Sequence, residues 1–201
     1  MRLWEARSGR PVGLPMIHQR SVTLARFSPG GERVITIAAD QTARLWETAT
    51  CMPVGEPLRD DDWVNDTRFS PDGRRVITAS DAGTARVWAA PMGGLIGSYV
   101  RHQGPVNQAV FSPDNQRLVT ASDDGTARLW DAQTGFDLGA PMVHGVPVLA
   151  VAWSPAGDRV ATAAKDGAAR IWGGLTGRPL GEPLRHGGGS PTSGGAPMAG
   201  G

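Results

Sequence analysis

A three-residue signature returns at a fixed step along this chain. It reads Arg2-Leu3-Trp4, Arg44-Leu45-Trp46, Arg86-Val87-Trp88, Arg128-Leu129-Trp130 and Arg170-Ile171-Trp172, with each Trp 42 residues beyond the last. A second marker keeps the same step: Phe27-Ser28-Pro29, Phe69-Ser70-Pro71, Phe111-Ser112-Pro113 and Trp153-Ser154-Pro155. Two markers locked to one period without an insertion mean a tandem array. A period in the low forties matches architectures in which one repeat builds about one propeller blade. The length of 201 residues then counts units rather than domains, because repeats pack mainly on their neighbours.

One unit, residues 104 to 142, shows how. Val106 to Phe111 is a short apolar segment closed by Ser112-Pro113-Asp114-Asn115. Pro presets the dihedral of the second turn position, and Asp or Asn suits the positions after it. Ser-Pro pairs also resemble modification sites, but their recurrence in register marks them as turns. Arg117 to Ser122 is rich in β-branched residues, Asp124-Gly125 supplies hairpin chemistry, and Thr126 to Trp130 is the third strand. A looser stretch leads to a fourth strand near 138 to 143. Four short antiparallel strands in about 40 residues describe one blade. The chain is therefore predicted to be all-β. No segment carries a helical period long enough to compete.

Composition narrows the function. A net charge of +1, with Lys165 as the only Lys, gives no electrostatic reason to expect nucleic acid or an anionic membrane. Cys51 is the single cysteine, so no internal disulfide forms and a reducing compartment fits. Its counterparts in the other repeats are not Cys, which marks it as incidental. No long apolar stretch follows Arg2, Arg7 and Arg10 as a secretory signal would require. The longest apolar run, 146 to 153, is too short to span a bilayer. A cytoplasmic protein is expected.

The pattern His102, Phe111-Ser112-Pro113-Asp114, Thr120-Ala121-Ser122-Asp123-Asp124-Gly125-Thr126-Ala127-Arg128-Leu129-Trp130-Asp131 resembles the WD-repeat β-propeller family. It is most similar to tandem WD-repeat proteins of bacteria, whose linkers resemble Gly181-Glu182-Pro183-Leu184-Arg185-His186. The resemblance covers residues 2 to about 186. It implies a structural tetrad in each repeat, in which a turn Asp holds a His, the His meets a strand hydroxyl, and the hydroxyl meets an indole N–H. On this reading His18, Thr36, Asp40 and Trp46 form the first tetrad, His102, Thr120, Asp124 and Trp130 the third, and His144, Thr162, Asp166 and Trp172 the fourth. Thr120 is favoured over Ser122 because Thr recurs at that position in all four repeats. An Asp, a His and a hydroxyl in contact imitate a nucleophilic triad, but enzymes rarely carry one triad several times over. Each His belongs to a different unit, so no metal is expected, nor any cofactor.

The second repeat departs from this pattern. It keeps Thr78 and Trp88, but Asp60 replaces the His and Ala82 the turn Asp. Both members of one hydrogen bond are thus lost together, which avoids stranding either. The stretch Asp60-Asp61-Asp62-Trp63 adds an aromatic where the other repeats have Ser21, Pro105 and Pro147. A Trp beside charges on a loop suits a binding anchor, and drift in a relaxed loop is the plainer reading. The resemblance implies a protein–protein interaction scaffold rather than an enzyme, with partners read by residues that differ between repeats: Arg20, Asp61, Asp62, Trp63, Asp81, Gln103, Asp123 and Lys165.

The expected organisation is a half-blade at 1–16 with a third and a fourth strand. Blades come next at 17–60, 61–100, 101–142 and 143–186, and then a disordered tail rich in Gly, Pro and Ser at 187–201. His186 has no blade after it and reads as a remnant. The half-blade lacks two strands while the last blade has all four, so the ends do not complement each other. An open arc is expected, in a fragment of a longer bacterial array. Its bare blade faces invite self-association. The alternative role is a structural segment of a larger regulatory protein linked to a kinase or NTPase, and a propeller-type hydrolase ranks below both.

Overall fold

The computed structural model describes residues 1–90 and 92–185, with backbone alone for 98–100. His186 and the 187–201 tail lie outside the described residues. Strands β1 (Leu3–Trp4) and β2 (Pro11–Val12) pair as a two-stranded sheet. Four antiparallel four-stranded sheets come after it, each in simple sequence order. The first holds β3 (Val22–Phe27), β4 (Arg33–Ala38), β5 (Thr42–Glu47) and β6 (Pro53–Arg59). The second holds β7 (Val64–Phe69), β8 (Arg75–Ser80), β9 (Thr84–Ala89) and β10 (Leu95–Arg101). The third holds β11 (Val106–Phe111), β12 (Arg117–Ser122), β13 (Thr126–Asp131) and β14 (Met142–Val143). The fourth holds β15 (Val148–Trp153), β16 (Arg159–Ala164), β17 (Ala168–Gly173) and β18 (Leu184–Arg185).

The turns explain the strand ends. In each Ser-Pro turn the residue three after Ser donates its N–H to the Ser carbonyl: Gly31, Gly73, Asn115 and Gly157, at 2.8–3.0 Å. All four have positive φ, between 62° and 78°, which is why Gly or Asn stands there. The Ser hydroxyl then accepts the N–H of the Arg that starts the next strand, as in Arg75 to Ser70 at 2.9 Å and Arg117 to Ser112 at 2.9 Å. Two strand ends differ from the sequence reading. Arg101 and Val143, each one residue past the expected end of its blade, close β10 and β14 by pairing with Thr84 and Thr126. The second strand of the half-blade is confined to Pro11–Val12, although Met16 and Met1 exchange backbone hydrogen bonds and Met16 is fully buried.

The core lies between sheets, not within them. Ile35, Ile37, Ala43, Leu45 and Leu58 of the first blade pack on Val64, Val76, Trp88 and Ala90 of the second. The same positions repeat at the next two seams, with Phe111 and Trp130 in one and Val160 and Trp172 in the other. Met16 and Leu3 of the half-blade cover Trp46 in the same way. Arginines tie the outer parts of the later seams. Arg75 stacks 4.8 Å from the Phe111 ring centre and Arg117 stacks 4.9 Å from Trp153. Each also donates to carbonyls of the next blade, Ala132 and Gly174 among them. Among the described residues, Arg159, the counterpart in the fourth blade, forms an ion pair only with its neighbour Asp158. The sheets form an open arc.

Candidate interaction surface and the clasps beneath it

Each blade is joined to the one before it by a buried polar clasp. At the third blade, His102 comes directly after β10, and its N–H extends that sheet by donating to the Gly83 carbonyl at 2.9 Å. Its side chain reaches across the seam. Nδ1 lies 2.7 Å from Asp124 Oδ2, and Nε2 lies 2.8 Å from Thr120 Oγ1. The Trp130 indole N–H donates to the same Thr oxygen at 2.9 Å. With Asp124 ionised, the ring carries its proton on Nδ1 and accepts the Thr hydroxyl proton on Nε2. Thr126 donates to Asp124 at 2.7 Å and holds the carboxylate under the ring. Burial pushes the His102 pKa below its ordinary value, and Asp124 only partly opposes this. Ser122 points elsewhere, to the Gly104 carbonyl at 3.0 Å.

The first blade repeats this arrangement more loosely. His18 Nε2 is 2.6 Å from Thr36, and Trp46 donates to Thr36 at 2.8 Å. Asp40 stands 3.4 Å from His18 Nδ1, in poor alignment, and its firmer bonds go to Thr42 and to the Gln19 N–H.

At the fourth blade the sequence reading needs correction. His144 meets Thr162 at 2.7 Å and Trp172 donates to Thr162 at 2.8 Å, but Asp166 does not hold the His. The Arg170 guanidinium occupies Nδ1 instead, and Asp166 lies 3.7 Å from that Arg. The cause is local. Ala168 stands where Thr42 and Thr126 supply a hydroxyl, so nothing draws the carboxylate beneath the ring. Arg170 can only donate, so Nδ1 must be bare and the proton sits on Nε2. Burial first, and then the Arg charge, lower the His144 pKa to about 4.

The second blade also corrects the sequence reading: its clasp is replaced, not lost. Asp60 has a fully buried side chain. One of its oxygens accepts from Thr78 at 2.9 Å and the other from Thr84 at 3.0 Å. Trp88 still donates to Thr78 at 3.0 Å. Arg86 supplies the countercharge at 3.1 Å and also pairs with Asp61. Asp60 and Arg86 are thus working residues that the sequence reading passed over. The signal for them was the Arg two residues before every repeat Trp, which becomes a clasp residue wherever a neighbour departs from the pattern.

The residues expected to read partners lie on the loops around these clasps. Arg20, Asp61, Trp63, Asp81, Gln103, Asp123 and Lys165 are exposed and Asp62 is half-buried. Several also have internal duties. Asp81 accepts from Asn65 at 2.7 Å, and Asn65 donates to the Val106 carbonyl of the next blade at 3.1 Å. Asp123 and Asn107 repeat this latch toward Val148. Trp63 is held by its backbone: its N–H donates to Asp62 at 2.8 Å and its carbonyl accepts from Asp81 at 2.9 Å.

The WD40 family model, described as "WD domain, G-beta repeat", matches residues 11–47, 55–89, 93–131 and 141–173. The chain belongs to the WD40-repeat family. Each matched WD40 unit starts in or near the fourth strand of one blade and ends at the Trp strand of the next, so every clasp lies inside one sequence repeat while bridging two sheets. The crystal structure of the computationally designed Ika8 protein superposes with a TM-score of 0.81 at 25% sequence identity, over 92% of this chain. The WD40 array spans 56% of the length of that designed chain. No curated protein sequence matches.

Proposed function

We propose that this WD40 array is a non-catalytic scaffold that binds a protein partner through the loops joining successive blades, with Trp63 as the anchor. The observation that carries the reading is the state of that side chain. Trp63 is 44% exposed, yet its backbone is fixed on both sides by Asp62 and Asp81. An aromatic presented on a fixed loop loses little entropy on binding, as hot-spot residues require. The surrounding Asp61, Asp62 and Asp81 favour a partner surface with basic side chains near an apolar pocket. The His–hydroxyl pairs support a scaffold in another way: their hydrogen bonds are spent inside the clasps, and the pairs recur at the first, third and fourth blades.

Trp63→Ala tests the anchor. With a partner recovered by crosslinking and then purified, the variant should weaken binding by about 2 kcal/mol or more, the usual scale for a hot spot. Its melting temperature should match that of the parent. Unchanged affinity would reject the anchor.

A further inference from the structure

The inner wall of the arc carries a charge cluster that the clasps do not use. First strands of successive blades pack on one another, β7 on β11 and β11 on β15, so these strands, with β3 in the equivalent place, line that wall. Their segments Val22–Phe27, Val64–Phe69, Val106–Phe111 and Val148–Trp153 contain three charged residues: Arg26, Asp66 and Arg68. All three meet. Arg26 Nη2 donates to one oxygen of Asp66 at 2.9 Å, across the seam between the first two blades, and Arg68 Nε donates to the other at 2.9 Å. The Asp66 side chain is 6% exposed, while the Arg26 and Arg68 side chains are 37% and 30% exposed. Neither guanidinium has another ion-pair partner among the described residues.

One cation balances the Asp66 carboxylate, and Arg26 alone would make that cross-seam tie. Seams also close here without charge. Between the third and fourth blades, Gln108 accepts the Val151 N–H at 2.8 Å and Val110, the counterpart of Arg68, packs in the apolar seam. Arg68 is therefore surplus to the tie, and a buried ion pair is seldom better for stability than apolar packing. Each guanidinium carries five N–H donors in a planar fork and gives only part of them to Asp66. One carboxylate thus holds two forks near each other, with their side-chain entropy already lost. We propose that Arg26 and Arg68, steadied by Asp66, form a binding site for a single carboxylate group. Charge selects that class. Two arginines against one aspartate leave one net positive charge, which a carboxylate neutralises and a phosphate, at close to two negative charges, overshoots. The segments of β11 and β15 hold no cation that competes for the ligand. The site lies toward the far end of β7 from Trp63 and does not depend on the scaffold reading.

The test uses the full chain labelled with 15N-arginine, with the Nε–H resonances of Arg26 and Arg68 followed by NMR at neutral pH and constant ionic strength. Titration with sodium acetate should move both along one saturable curve that the exposed Arg7 does not follow. Sodium phosphate should bind more weakly. Arg68→Gln leaves the Arg26–Asp66 tie in place and should keep the melting temperature. It should nevertheless weaken the acetate response at Arg26 roughly tenfold or more, the loss of one charge-assisted hydrogen bond. Acetyl-Ala-Ala-Ala with a free or an amidated C-terminus separates the sources. Tighter binding of the free-acid peptide than of acetate, with no response to the amide, supports the carboxylate of a polypeptide. Equal affinity for peptide acid and acetate supports a small free acid. A response that is linear, shared by Arg7, stronger for phosphate, or unchanged by Arg68→Gln would overturn the site.

Discussion

The second and third blades solve one problem with opposite chemistry. Both must satisfy a strand Thr and a buried indole at the seam. The third does so with a neutral imidazole steadied by Asp124. The second places a buried carboxylate, Asp60, against the same Thr–Trp pair and balances it with Arg86. The Thr and Trp are the fixed part of the clasp, and the group that caps them is free to vary provided charge and hydrogen bonds close locally. The fourth blade lies between these solutions, with a His cap but an Arg in the place of the Asp.

The largest effect should come from removing the countercharge. Arg86→Met leaves the Asp60 carboxylate buried without its cation and should cost about 3–5 kcal/mol. The equivalent Arg128→Met in the third blade loses a long contact with the exposed Asp137 and a cation–π contact with Trp130, and should cost about 1 kcal/mol or less. Urea unfolding of the two variants checks the order. Equal costs would mean that the two caps are not electrostatically different.

Acid should separate the clasps next. His102 and His144 have folded-state pKa values below 6.5, so below that pH the unfolded chain takes up protons that the folded chain refuses. Stability from these two clasps is therefore full above pH 6.5 and falls on acidification, for His144 down to about pH 4. Asp124, whose own pKa is lowered, adds a loss only below the ordinary carboxylate range. Melting temperatures followed from pH 7.5 to 4.5 should fall, and NMR should show His144 titrating near 4 as the Nε2–H tautomer. Titration of His144 at 6.5 would break the Arg170 assignment.

The smallest effect restores a missing hydroxyl. Ala168→Thr should draw Asp166 beneath His144, raise the His pKa, move its proton to Nδ1 and stabilise by about 1 kcal/mol. An unchanged tautomer would show that Ala168 is not the reason the Asp stands away.

The blade plan was legible in the sequence because the period, the Ser-Pro turns and the positive-φ Gly and Asn positions are all local signals. So were the Thr–Trp pairs, which recur without exception. The clasp caps were less so. Asp60 read as part of an acidic loop, because burial of a carboxylate depends on where Arg86 and Thr84 sit across the seam, and neither lies near it in sequence. Asp166 read as a His partner because its spacing is right, while the deciding residue was the small Ala168. The Asn65–Asp81 and Asn107–Asp123 latches were visible only as co-occurring residues in the second and third repeats, since Thr23 with Ala39 and Leu149 with Lys165 replace them elsewhere.

Stability in this molecule resides in the seams between neighbouring blades of an open arc. The decisive measurement is native-state hydrogen exchange, resolved by strand. Exchange should be slowest in β8, β9, β12 and β13, which have a packed seam on both sides. It should be much faster in β3, β16 and β17, whose outer sides are bare. Equal protection in all four blades would contradict the open arc and point to a closed ring.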